Sequence, residues 1–254
     1  MDWQVLVLAV VLGSALAPVA TTLMERVPGA DALRPRPRCA SCAAPLAWRD
    51  QLPLWSWIAL RGRCRDCRAP IGVRHPVAEL TCIVATAVVL AQPWPALLTL
   101  AWALYVPVGV ALAFIDLRHK RLPNLLTLRS AAALVVLLGV AGLVDGLTPW
   151  TRALQAGAAL FVLYLLMNIL ARGAMGMGDV KLALAVGLLA GYLGWFEVIA
   201  ATGLAFVLGG IASAYMLIAR RADRRATIPF GPFMLLGLLL VVPLADSLRA
   251  MLVP

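Results

Sequence analysis

Charge is scarce in this chain. Only 13% of its 254 residues are charged, against about 25% in a soluble domain. Acidic residues number 12 and histidines 2. Apolar residues make up 63%, with a mean hydropathy of +0.92, far more than a soluble core holds, so lipid is the expected solvent. A soluble repeat period and a low-complexity tract are both missing. The N-terminus lacks the basic region of a signal peptide. Ala15-Leu16-Ala17 resembles a cleavage site, but the chain opens Met1-Asp2, so the first apolar run is expected to stay as a helix.

What is present is a series of long apolar runs. Trp3 to Met24 contains 22 residues, which rise about 33 Å as a helix and cross a ~30 Å hydrocarbon core. Further helices are expected at 77–92, 95–115, 125–144, 153–171, 180–194, 195–219 and 231–250. The fold class is therefore an all-α polytopic membrane protein of about eight transmembrane helices with a small cytoplasmic insertion. The expected divisions are a first helix over 1–24, a polar four-cysteine segment over 25–76 and membrane-embedded helices over 77–254. Gly191 and Gly194 mark the boundary between the sixth and seventh helices, and Gly203 to Gly210 suits close helix packing in lipid.

The net charge of +10 has a topological explanation. With the N-terminus outside, all of the 22 basic residues except Arg152 and Arg249 fall on one side. That side is cytoplasmic by the positive-inside rule. No nucleic-acid partner is needed, and the Arg220 to Arg225 run reads as a topology signal near lipid head groups.

Four of the five cysteines form two C-x2-C pairs, Cys39 with Cys42 and Cys64 with Cys67, 21 residues apart. Thiolates at this spacing suit a closed tetrahedral zinc site, which staples a segment too small to build its own core. Two disulfides are the bland alternative, and the cytoplasmic side disfavours them. Gly62 eases a tight turn before the second pair. Cys82 falls within an apolar helix and is expected to be a packing thiol.

Two acidic residues stand out. Asp116 ends the third helix, where a helix-flanking charge paired with Arg118 is the plain reading, although the helix dipole disfavours an acid there. Asp179 follows Gly173, Gly176 and Gly178 and opens the sixth helix, which it could simply cap. A phosphate-cradling loop fits poorly, since no strand precedes it and the spacing is not the P-loop pattern. Topology puts both aspartates at one membrane face. Two close carboxylates share a proton, so one can activate water while the other protonates a peptide carbonyl. A cation-coupled transporter would use the same pair, and a non-catalytic, zinc-bearing assembly subunit would keep the same cysteines. A transporter should show interrupted helices in matching halves, and no such pair is found.

At these residues the sequence resembles the prepilin peptidase (type IV leader peptidase) family. The resemblance runs through Arg38-Cys39 to Cys42, Pro53 to Trp57, Arg61-Gly62-Arg63-Cys64 to Cys67, Ala69 to Ile71 and Glu79-Leu80. It continues in Ile115-Asp116-Leu117 with Leu122-Pro123, in Gly176 to Leu182 with its G-x-G-D core, and in Ile228 to Phe233. It implies an aspartyl endopeptidase of the bacterial inner membrane, with Asp116 and Asp179 catalytic and Cys39, Cys42, Cys64 and Cys67 on zinc. The archaeal preflagellin peptidases are also similar, but the four-cysteine segment favours the bacterial type. The implied substrates are type IV prepilins or pseudopilins, cut after a glycine that ends a short basic leader. Many members then N-methylate the new N-terminus with S-adenosylmethionine. One block departs: where the family carries G-S-F-L-N-V-V-I-x-R-L-P, this chain reads Gly13-Ser14-Ala15-Leu16-Ala17-Pro18, without the asparagine. That departure bears on methyl transfer more than on proteolysis.

Overall fold

The long apolar runs become helices, and the polar segment becomes turns. The structure, a computed structural model, describes residues 3–27, 38, 39, 41–170, 175–219 and 228–252. The Arg220 to Arg225 run and the start of the Gly173 to Lys181 stretch lie outside the described residues. The helices are α1 (Trp3–Arg26), α2 (Trp55–Ala59), α3 (Arg74–Leu90), α4 (Ala96–His119), α5 (Asn124–Asp145), α6 (Leu147–Leu170), α7 (Met177–Leu193), α8 (Trp195–Ile218) and α9 (Gly231–Leu252), with a 3-10 turn over Trp48–Gln51. Among the described residues there is no strand, only the isolated bridges Arg38 to Pro45 and Arg63 to Pro70.

The protein is a multi-pass membrane protein. Among the described residues eight long helices stand near the eight expected positions. Of these, α1, α4, α5, α6 and α8 are long and apolar enough to cross a membrane. α3 and α7 have 17 residues each, a rise of about 26 Å, slightly short of the ~30 Å core. Among the described residues α9 also carries a shorter apolar stretch, Gly231–Ala245.

The chain packs as two units, residues 1–91 with 106–111, and 92–105 with 112–254. In the first, α1 lies against α3. α1 buries Ala9, Gly13, Ala17, Ala20 and Met24, a stripe at helical spacing. A Cβ on Gly13 would stand 2.7 Å from the Ile83 Cα, so the two backbones nearly touch. The segment between α1 and α3 buries little. From 38 to 73 only Gly62 and Cys64 are buried among the described residues.

In the second unit α7 is the core element. It lies against α5, α6, α8 and α9 and buries 12 side chains or glycines, Asp179 among them. Its tight contact with α6 runs through Gly187, whose added Cβ would stand 2.6 Å from the Ala156 carbonyl oxygen. Arg152 of α6 donates to the carbonyls of Gly191, Tyr192 and Leu193 at 2.7, 2.6 and 3.1 Å, so a cation satisfies the C-terminus of α7.

Two packing expectations change. Of the Gly203 to Gly210 stretch, Gly209 packs closely, an added Cβ standing 3.0 Å from the Phe230 ring, while Gly203 and Gly210 meet nothing within 4 Å. The tightest helix-to-helix approaches fall at Gly187, Gly191 and Gly237, because these are the glycines that face a neighbouring helix. Gly194 does break α7 from α8, in extended backbone, whereas Gly191 stays inside α7, against Ala153 and Ala156.

Candidate functional site

The second unit gathers three chain segments around two carboxylates. α4 runs four residues past the expected end, to His119, so Asp116 sits in its last turn. Lys120 ends the helix in the left-handed conformation and donates its N–H to the Asp116 carbonyl oxygen at 2.8 Å. The chain then turns through Leu122 and Pro123 into α5. α7 starts at Met177 after Gly176, whose extended backbone occupies the cap position. Asp179 is therefore the third residue of α7, with its own N–H donated to the Gly176 carbonyl at 3.0 Å. The capping role considered for Asp179 is corrected: the helix begins one turn earlier because Gly176 supplies the entry. Its carboxylate still benefits from the N-terminal end of the helix dipole.

What brings the two together is the close approach of the Gly178 backbone to Leu122. A Cβ on Gly178 would stand 2.8 Å from the Leu122 Cβ, so only glycine lets the first turn of α7 settle on the turn that follows Asp116. Asp116 is 4% and Asp179 8% exposed, so both carboxylates are largely out of water. No ion pair joins Asp116 to Arg118 among the described residues, which removes the plain reading of that aspartate as a paired flank. Its partner is the N–H of Gly231, donated to Oδ2 at 3.1 Å. Gly231 opens α9, so Asp116, unfavourable at the C-terminal end of its own helix, lies at the favourable N-terminal end of another.

Gly231 is the residue to which sequence reasoning gave no role. Its signal was the Ile228 to Phe233 block, noted there without a function. A Cβ at 231 would stand 2.9 Å from Asp116 Oδ2. The aromatic wall of Tyr164, Phe206, Phe230 and Phe233, with ring centroids 5.1 to 6.5 Å apart, packs around the entry to α9. Lys181 donates to Asn124 Oδ1 at 2.6 Å, tying the start of α7 to the start of α5 at the exposed edge.

Two largely dry carboxylates at one end of a bundle can divide between them the tasks of activating a water and protonating a carbonyl.

The first unit gathers the cysteines. Cys39, Cys42, Cys64 and Cys67 place all four Sγ atoms within 4.8 Å of one another, and Cys39 and Cys67 stand 3.8 Å apart. That is the edge of a tetrahedron with metal–sulfur bonds of about 2.3 Å. All four are free thiols rather than disulfides. The two pairs form matching knuckles, a short internal repeat that the sequence reading passed over. Cys39 N donates to Ala44 O and Cys64 N to Ala69 O, at 2.9 and 2.8 Å. Ala43 and Arg68 take the same left-handed conformation, at φ 58° and 60°. Gly62, at φ 65°, precedes the second knuckle as expected, beneath the Trp57 ring.

The thiols are at odds electrically. N–H groups of Cys42 and Ser41 pull Cys39 down to about 6. Cys67, although the N–H of Ala69 points at it, is pushed up to about 12 by lost hydration and by the sulfurs of Cys42, Cys64 and Cys39. Thiolates crowded in this way need a counter-charge, and a divalent cation supplies it. Cys82, fully buried in α3, takes no part. Beside the knuckles lies a cavity of about 430 Å³ whose walls include Glu25, Trp57, Arg74, His75 and Glu79. Glu25 pairs with Arg74 at 2.9 Å, with His75 Nε2 at 3.5 Å. Glu79 accepts the N–H of Leu54 at 2.8 Å.

Comparison with known proteins gives a consistent result. Residues 7–92 match the family model described as the bacterial peptidase A24 N-terminal domain, and residues 103–214 match that of the type IV leader peptidase family. The chain is similar to a prepilin leader peptidase/N-methyltransferase of Aeromonas hydrophila, 33% identical over 84% of this chain and 73% of that protein. Proteins of the same name from Xanthomonas campestris pv. campestris and Myxococcus xanthus are 32% and 34% identical, over 74% and 82% of this chain. The match spans just under two thirds of each of those two, 65% and 62%. No solved structure matches the chain.

Proposed function

The chain belongs to the type IV leader peptidase family, and from that premise we propose that it is a membrane aspartyl endopeptidase acting on type IV prepilins or pseudopilins. The reaction is removal of the short basic leader at the cytoplasmic face of a bacterial inner membrane. The supporting observation is the buried pair, Asp116 in the last turn of α4 and Asp179 in the first turn of α7, with the Gly231 amide of α9 donating to Asp116. The positive-inside distribution of arginine and lysine supports the orientation, with the N-terminus outside and the four-cysteine segment cytoplasmic.

The chemistry follows from the pair. The ionised carboxylate takes a proton from a water, whose oxygen attacks the carbonyl carbon of the leader glycine. The protonated partner gives its proton to the carbonyl oxygen. Collapse of the tetrahedral intermediate breaks the C–N bond, a proton passes to the leaving amine, and the pair again holds one proton. The test is incubation of detergent-solubilised protein with a prepilin peptide, scoring the cut after the leader glycine. Cation uptake without cleavage would favour a transporter instead.

Zinc is the ion we assign to Cys39, Cys42, Cys64 and Cys67, since four thiolates leave no open position and suit a structural site. Methyl transfer to the new N-terminus is the second proposed activity. S-adenosylmethionine would supply a methyl group carried on a sulfonium. The residues present fit such a molecule. The cavity beside the knuckles lies within the roughly 300–1,000 Å³ of small-molecule sites. The Glu25 and Glu79 carboxylates offer acceptors for a cationic ligand, and the Trp57 ring lies beside them. Lipid-facing helices offer no comparable polar pocket.

A further inference from the structure

The segment between α1 and α3 presents a surface that neither activity uses. α2 turns Trp57 inward, where its Nε1 donates to Ile71 O at 3.3 Å. The opposite face shows Trp55, 67% exposed, and Ile58, 62% exposed, one turn apart on the same side of the helix. Directly after them the chain builds a recess of about 650 Å³ walled by Ala59, Leu60, Arg61, Arg63, Arg65 and Arg68. Arg65 is engaged with Asp50. Arg61, Arg63 and Arg68 are exposed and have no ion pair or side-chain hydrogen bond among the described residues. Three guanidinium groups without an acid thus stand beside an exposed tryptophan and isoleucine.

We propose that this surface seats the cysteine segment on the membrane, with Trp55 and Ile58 entering the interface and Arg61, Arg63 and Arg68 holding the phosphates of anionic phospholipids. Aromatic and basic side chains at one level are what the lipid interface selects. The reach is short. α3 begins at Arg74 and exposes Val77, Leu80 and Val84, an apolar stripe for lipid. The link from Arg68 to Arg74 spans at most about 21 Å. A segment tethered that closely meets the head groups without any partner to recruit it. A basic peptide, such as the leader of the proposed substrate, is repelled by the same three charges. An acidic protein would satisfy the arginines but leave Trp55 and Ile58 without a reason to be exposed.

The test uses the full chain in nanodiscs of phosphatidylcholine alone or mixed with phosphatidylglycerol, read by hydrogen exchange over residues 52–68. Each arginine near an anionic leaflet contributes about five-fold to surface association. Exchange in 52–68 should therefore slow in the mixed membrane, with α1 unchanged, and the effect should fade at high salt. R61Q/R63Q/R68Q should abolish the lipid dependence while the cysteines keep their metal. If that triple variant loses its metal, Trp55→Ser, which touches no charge, decides: it should weaken protection in both membranes. Equal exchange in the two membranes, or protection that survives the triple variant, overturns the proposal. Protection reproduced by inorganic phosphate in phosphatidylcholine would assign the recess to a free anion and overturn it equally.

Discussion

The two carboxylates and the four thiols are held by opposite means. Around Asp116 and Asp179 glycine backbone packs directly on side chains, and α7 is buried along most of its length. Around the cysteines almost nothing is buried between 38 and 73 beyond Gly62 and Cys64. The first site is a product of packing, with each group placed by helices that would be there without it. The second is a site on which its surroundings depend, since about thirty-five residues without a core need an internal staple. Damage at the first should therefore stop chemistry and leave the fold. Damage at the second should loosen the fold locally and reach chemistry only indirectly.

The largest effect should come from the carboxylates. Asp116→Asn and Asp179→Asn each lower leader cleavage about 10³-fold or more, because neither acid nor base can act alone. The double variant is scarcely worse than either single one, since the two act as a unit. Thermal unfolding and metal content stay near wild type. A single variant with near-normal turnover at normal expression would break the assignment. The same unit predicts a bell-shaped dependence of cleavage on pH, one limb for each carboxyl. A flat profile, with chemistry limiting, would count against a shared proton.

Removing the metal should act on the other region. Elemental analysis should find about one zinc per chain, unchanged in Cys82→Ala. Chelation or Cys64→Ser should expose residues 38–73 to protease while the second unit keeps its melting transition. Methyl transfer, measured with labelled donor on a prepilin substrate, should then fall more than cleavage does. Equal loss of both activities would show that the cysteine segment supports the peptidase itself, and the contrast between the regions would fail. Cleavage without label transfer in the wild type would leave a peptidase alone.

Close backbone approach gives a smaller, graded effect. Gly231→Ala sets a methyl 2.9 Å from Asp116 Oδ2 and displaces the one amide that holds it, so cleavage should fall about 10–100-fold, the scale of a mispositioned group. Gly178→Ala meets the Leu122 Cβ at 2.8 Å and should lose activity to a similar degree. Leu122→Ala removes the Cγ beyond but leaves that Cβ, so the double variant should recover activity only in part. No recovery at all would mean that Gly178 serves something other than the contact with Leu122.

Much of this was legible in the sequence because it is written in runs and spacings. Uncharged stretches gave eight long helices, and C-x2-C pairs gave the thiol cluster. What the sequence could not show was facing. Gly187 and Gly237 look no different from Gly203 and Gly210, yet only the first two meet another backbone. The start of α7 was misjudged because Asp179 is a common cap and Gly176 is not the first choice for one. Gly231 had no visible role because its partner, Asp116, lies 115 positions away. The paired knuckles escaped notice because their likeness lies in conformation: Ala43 and Arg68 differ in every chemical respect and share one left-handed turn.

The smallest expected effects come from two arginine clamps, one in each region, and they test the comparison at its margin. Arg152 satisfies three carbonyls at the end of α7 and is part-buried. Arg152→Gln leaves acceptors without donors, and the second unit should lose about 1–3 kcal/mol in denaturant unfolding. Arg65 instead meets Asp50 at the surface, with Nη2 2.5 Å from Oδ1 and Nε donating at 3.1 Å. Its guanidinium is 45% exposed although the Asp50 side chain is only 8% exposed, so solvent screens the pair from the arginine side and Asp50→Asn should cost less than Arg152→Gln. The pH dependence has a definite sign. The Arg65 hydrogen bond holds the Asp50 carboxyl below its ordinary value, so the folded state binds that proton less readily than the unfolded one. The contribution is complete at neutral pH, declines once pH falls below about 4, the unfolded value, and is gone below the depressed folded one. Added salt should shrink it further. If Asp50→Asn proved as costly as Arg152→Gln at neutral pH and high salt, the cysteine segment would be held by its own contacts and not chiefly by its ion.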